Sequence, residues 1–185
     1  MKTYSKRDFP VSDIRHYLEP GPIVLVSSKW RDKANIMTMG WHAVMEFSPA
    51  LVGCVIASGN HSFKMIRSSK QCVINVPTAD IATTVVKIGN CSGAGVDKFQ
   101  RFKLSATDAE EIDAPLIAQC PVSLECRLAD DALVDKYNFF IFEVVKAHSA
   151  PSPKNPKTIH YRGEGEFMVA GRSRNLRKLF RPGML

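Results

Sequence analysis

Five short runs rich in β-branched and apolar residues constrain what this chain can fold into: Ile23 to Ser27, Leu51 to Ala57, Cys72 to Val76, Val122 to Leu128 and Phe139 to Lys146. Most are bounded by Pro, Gly, Asn or Asp, residues that interrupt strands and open turns. Between them, Ser62 to Ser69 and Ala79 to Ile88 read as helices, the second with Ile81, Val85 and Ile88 at near-helical spacing. Val96 to Phe102 reads as a third, short one. The strands come in pairs instead of alternating strictly with helices. That order predicts a mainly β chain, an antiparallel β-barrel of five or six strands with inserted helices, in preference to a doubly wound parallel sheet.

A chain of 185 residues, 45% of them hydrophobic, is expected to form a single domain over 1–185 with a real core. The stretch Ala150 to Pro156 holds three prolines and reads as a loop or edge crossing, since too little chain follows it to build a second core. The first ten residues are charged and carry no apolar signal-like region, and no run approaches the length of a membrane span, so the expected setting is soluble and cytoplasmic. Five scattered cysteines without a C-x-x-C pair, and without His at zinc-ligand spacing, indicate neither a disulfide framework nor a metal site. Cys54, Cys72, Cys120 and Cys126 lie in or beside apolar runs, whereas Cys91 lies in the polar loop Gly89 to Gly95.

The net charge of +7 is uneven, because Arg172, Arg174, Arg177, Lys178 and Arg181 crowd together near the end. Leu176, Leu179 and Phe180 would share one face of a helix at about 172–181, with the cations on the other. The leading expectation is therefore a helix docked on its own domain with a solvated basic face. Attraction of phosphate-bearing ligands or of polyanions is the other reading.

Several chemistries lack their motifs. Gly93-Ala-Gly95 fails as a dinucleotide fingerprint, because Lys98 stands where a third glycine belongs and the preceding run looks helical. No Walker loop, His-Glu-x-x-His or Gly-x-Ser-x-Gly occurs. What remains is a set of short donors in an order that a flavin mononucleotide would require. An isoalloxazine ring needs donors along its polar edge and an aromatic or apolar wall, which Asn35, Thr38 and Trp41 offer. A terminal phosphate asks for hydroxyls, helix-start N–H groups and a cation, and Asn60-His61-Ser62-Phe63-Lys64 supplies all three at the head of an expected helix. Taken singly, each has a plainer reading: Trp41 as core, Ser62 as a helix cap, Lys64 as a solvated lysine.

In combination, these segments resemble the flavin reductase-like, FMN-binding split-barrel family, and its flavoredoxin-type branch in particular. The resemblance runs from about residue 15 to 170. It rests on Gly21-Pro-Ile-Val-Leu-Val26, Ala34-Asn-Ile-Met-Thr38 with Trp41, Ser48-Pro49, His61-Ser62 with Ile66, and Cys72-Val-Ile-Asn-Val-Pro77. It continues through Cys91-Ser-Gly93 with Val96-Asp-Lys-Phe99, Ala114-Pro-Leu-Ile117, Leu124-Glu-Cys126 and Phe142-Glu-Val-Val145. The resemblance implies a six-stranded split barrel, usually a homodimer, with FMN bound non-covalently near the subunit interface. The flavin neighbours it implies are Asn35, Met37, Thr38 and Trp41, then Asn60, His61, Ser62 and Lys64, then Cys91, Ser92 and Lys98, with Tyr137 and Phe167 as candidates for the far wall. Two positions depart from the family pattern. Ala94-Gly95 stands where members often carry a bulky charged residue, and Ser62 stands where many carry Thr.

The implied chemistry is hydride transfer from NAD(P)H to bound FMN, then electron delivery to free flavin, a small acceptor or a protein. Lys98 is the expected catalytic cation, set against the alternative of an exposed surface lysine. Cys91 is expected to touch the cofactor through its backbone, since no nearby cysteine could resolve an oxidised thiol. Three classes stay open: a nicotinamide-dependent flavin oxidoreductase, an FMN electron carrier reduced by a partner protein, and a flavin-free barrel using its basic tail on nucleic acid. The Asn-x-Met-Thr-x-x-Trp pattern disfavours the third.

Overall fold

The computed structural model describes residues 21–152, 155–181 and 183. Its body is a seven-stranded antiparallel sheet in the order β2-β1-β5-β8-β9-β4-β3. These strands are β1 (Val24–Trp30), β2 (Lys33–Met39), β3 (His42–Phe47), β4 (Ala50–Val55), β5 (Gln71–Val76), β8 (Val122–Asp130) and β9 (Phe139–Ser149). Two small ribbons complete the β structure, β6 (Ala106–Thr107) with β7 (Leu116–Ile117), and β10 (Ile159–Gly163) with β11 (Glu166–Val169). The helices are α1 (His61–Ser69), α2 (Ala82–Gly89), α3 (Lys98–Arg101) and α4 (Val134–Tyr137).

The mainly β class is as expected. The main sheet has seven strands where five or six were expected, the additions being β2, which mixes Lys33, Asn35 and Thr38 with apolar residues, and β3, which is mostly apolar yet exposed and lacks the alternation of a half-buried strand. They occupy the two ends of the strand order, yet only Gly40 and Trp41 separate them along the chain. A link that short forces the sheet to curl until its edges meet, which makes it a barrel with a seam at Trp41.

Alternation along the strands divides the core in two. Val24, Val26 and Met37 point into the barrel, where they meet Val52, Phe140 and Phe142. Phe63 and Ile66 of α1 join the same cluster. Leu25 and Ile36 point outward and are covered by Val85 and Ile88 of α2 together with Phe99 of α3. β1 is buried on both faces for this reason. Asn75 knits the layers: its Nδ2 donates to Leu25 O and Ser27 Oγ at 3.2 and 3.0 Å, while its Oδ1 accepts from Ile117 N and Ser123 Oγ at 3.0 and 2.7 Å. Buried Glu125 is served as fully, accepting from the backbone N–H groups of Glu110 and Glu111 at 2.9 and 2.8 Å and contacting His148 Nε2 at 2.6 Å.

The helix expected over about 172–181 does not form. The described residues there hold a single 3₁₀ turn, Arg177–Leu179, and Leu179 is 80% exposed. An amphipathic pattern without a surface to pack on cannot offset the cost of nucleating a helix. No helix among the described residues is long and apolar enough to cross a membrane.

Candidate functional site

Asn35 is the buried group whose hydrogen bonding is incomplete. Its Nδ2 donates to Ser62 Oγ at 2.8 Å, but Oδ1 has no partner, alone among the buried side-chain polar atoms described. Whichever way the amide is turned, one end is left over, and a buried polar atom without a partner costs about 1–3 kcal/mol. Asn75 and Glu125 show that this fold otherwise satisfies such groups, so an incompletely paired amide on a residue that lines a cleft marks a candidate ligand site.

That cleft holds about 300 Å³ and is polar. Asn35, Met37 and Thr38 of β2 line it, with Asn60, His61 and Ser62 at the start of α1, and Cys91, Ser92 and Lys98 from the loop and helix beyond α2. Nine of the sequence-derived candidates thus meet in one place. Asn60, with extended backbone, is the N-cap residue of α1, so Ser62 sits inside the first turn and does not cap. Its oxygen accepts from Asn35 instead, which leaves the hydroxyl proton to donate. The first N–H groups of α1 have no partners within the helix, and the helix dipole favours an anion at this end.

Lys98 is 4% exposed, not a surface lysine. Its Nζ donates to Ile36 O of β2 at 2.8 Å and to Ile88 O of α2 at 2.9 Å, which leaves one ammonium proton to donate. Burial lowers its pKa from the usual lysine value. Asp97, the N-cap of α3, holds the turn that carries Lys98 by accepting from Gln100 N at 3.0 Å. The loop from Cys91 to Gly93 closes over Asn35 so tightly that a Cβ on Gly93 would stand 2.0 Å from Asn35 Oδ1. Only glycine permits that approach.

A second cleft of about 480 Å³ adjoins the first, and the two share Thr38, Gly89 and Asn90. Its lining is largely apolar: Ile23, Val85 and Val86 with the rings of Trp41, Tyr161 and Phe167. Trp41 is 58% exposed and so is not a core residue. Tyr161 and Phe167 face each other across the β10–β11 hairpin with ring centroids 5.0 Å apart. The hairpin turns through Glu164 and Gly165, both with positive φ, as a tight two-residue turn demands. Thr38 Oγ1 donates to Val85 O at 2.6 Å, so towards a ligand this hydroxyl can only accept.

Two candidates lie outside both clefts. Lys64 is two positions beyond Ser62 on α1, so when Ser62, Met65 and Ile66 face inward it faces water. Tyr137 ends α4 with its ring exposed and Lys136 Nζ 5.1 Å from the centroid. Conversely, Tyr161, Val85, Val86, Gly89 and Asn90 were not singled out from sequence. Only Gly89-Asn90 carried a signal, as the head of the polar loop.

The matched segment of a known family covers almost the whole of this architecture. Residues 16–166 match the family model for the flavin reductase like domain. This chain belongs to that family. Among solved structures, the flavin reductase-like domain described here is similar to an FMN-binding domain of a flavin reductases-like enzyme from Shewanella baltica, with 26% identity and a TM-score of 0.77 over 90% of this chain and 95% of that one. Its fold also matches the flavoredoxin of Desulfovibrio vulgaris, at 20% identity and a TM-score of 0.78, over 95% and 96% of the two chains. An uncharacterized protein of Archaeoglobus fulgidus is 28% identical over 147 residues, 80% of this chain and 82% of its own length.

The two clefts fit FMN. The polar one offers a helix start for a phosphate and an unspent amide and ammonium for the polar edge of a ring, and the apolar one offers aromatic walls.

Proposed function

We propose that this protein is an FMN-dependent oxidoreductase that draws electrons from NAD(P)H. The observation that carries the reading is the joined pair of clefts, one polar with an unsatisfied Asn35 and a buried ammonium, the other apolar, open and lined with aromatic rings. Bound FMN would supply the redox chemistry, taking up electrons from a reduced nicotinamide and passing them to an acceptor.

The chain's own residues bind and orient. The N–H groups at the start of α1 and the side chains of Asn60 and His61 receive the phosphate. Asn35 and the remaining proton of Lys98 meet the polar edge of the ring system, and the fixed positive charge of Lys98 favours a ligand that gains electron density there. Trp41, Tyr161 and Phe167 exclude water from one side and leave room for a second flat ring. The reading includes a homodimer, favoured by the exposed apolar side chains Trp41, Val44, Met45 and Phe47 at the seam and on β3.

The test is the visible spectrum of the purified protein, followed anaerobically on addition of NADH and then NADPH. Flavin absorption that bleaches with either nucleotide supports the reading. Flavin absorption that neither bleaches points to a carrier reduced by a protein partner, and a colourless protein that takes up no FMN overturns the cofactor assignment.

A further inference from the structure

A third hollow opens beyond Asn90. It holds about 500 Å³ and is lined by Lys87, Asn90, Cys91, Arg101 and Phe102. Asn90 lines this hollow and both clefts described above, so the three spaces meet at one residue. The lining contains two cations and no carboxylate. Neither Lys87 nor Arg101 enters an ion pair among the described residues, a state they share with most of the other cations, so what sets them apart is that both line one hollow. Their places in the last turns of α2 and α3 account for the sign of the charge, since cations suit a helix C-terminus, but not for the hollow between them. Arg101 lies 5.8 Å from the centre of the Phe102 ring, so the same wall offers a guanidinium and an aromatic face.

We infer that this hollow receives the phosphate-bearing adenylate end of the nicotinamide dinucleotide whose ring enters the apolar cleft. The inference rests on the NAD(P)H reading above. A ligand reaching from the apolar cleft past Asn90 must be flat and weakly polar at one end and anionic at the other, which is the build of a dinucleotide. In the reading above, the phosphate of FMN is taken up at the start of α1 in the polar cleft, and none of those α1 residues lines this hollow. The two unpaired cations are therefore free for a second ligand. Phosphate oxygens take charge-assisted hydrogen bonds from lysine and arginine, and Phe102 offers a face on which a purine can stack.

The experiment compares FMN-loaded wild type with the double variant Lys87→Gln, Arg101→Gln in anaerobic reduction by NADPH and by reduced nicotinamide mononucleotide, which lacks the adenylate half. The inference expects the KM for NADPH to rise about tenfold or more in the variant, with the mononucleotide used as by wild type. Both changed side chains are exposed, and retention of the flavin spectrum checks that the fold is intact. An unchanged KM for NADPH overturns the inference and leaves the NAD(P)H reading standing. An equal rise for both donors also overturns it, because a general electrostatic field would act on both. Wild type that neither donor reduces overturns the NAD(P)H reading and this assignment together.

Discussion

Gly93 has no side chain because Asn35 already occupies the space one would need. A methyl group there would come within 2.0 Å of Asn35 Oδ1, so Gly93→Ala must either turn the amide out of line or lift the loop from Cys91. Weakening of FMN binding by at least about tenfold is expected, or roughly 1.4 kcal/mol, measured by quenching of flavin fluorescence on titration. Lys98 and Asn35 were legible in the sequence as members of spaced motifs, but their states were not. That one is a buried ammonium bridging two carbonyls, and the other an amide with a spare end, depends on how β2, α1 and α2 converge. Lys64 illustrates the opposite case. Its place in a phosphate-like motif was plain, yet helical geometry turns it away from Ser62, and spacing of two residues on a helix always separates side chains in this way.

Among the elements, β1, β4, β5, β8 and β9 were readable because apolar burial leaves a strand-like pattern, whereas β3 is exposed along most of its length and carries no such pattern. The tail pattern of Leu176, Leu179 and Phe180 misled for the complementary reason, since periodicity describes a face but not what covers it. The loop preceding β7 owes its position to Glu125 of β8, which grips the N–H groups of Glu110 and Glu111 and pairs with His148 of β9. Burial alone would raise the pKa of Glu125, but those N–H groups and His148 outweigh it and hold the carboxyl below its ordinary 4.5. A carboxylate whose pKa is lower in the folded chain contributes stability above pH 4.5, and that contribution is lost as pH falls through the lower folded value. Glu125→Gln is expected to cost about 2 kcal/mol at neutral pH, since an amide cannot accept at both ends. Thermal melts of the two proteins should converge as pH drops below 4, and a constant gap would contradict the argument.

At the scale of the molecule, the barrel leaves an apolar face uncovered. Phe47 is 88% exposed at the end of β3, beside exposed Val44 and Met45. If two copies cover that face, Phe47→Asp should shift the protein from dimer to monomer in sedimentation velocity, and cause loss of the flavin if the interface supports the cofactor site. Closure of the barrel itself has a different consequence. The two sheet edges are joined by Gly40 and Trp41, and both residues also line the apolar cleft. Anything lodged in that cleft therefore bears on the seam, and the seam cannot part without moving it. Ligand affinity and the local opening of β2 and β3 then draw on one free energy, so amide hydrogen exchange along those two strands should slow when the cofactor is loaded. Exchange in β8, far from the seam, should not change, which would make the barrel's closure a direct reporter of occupancy.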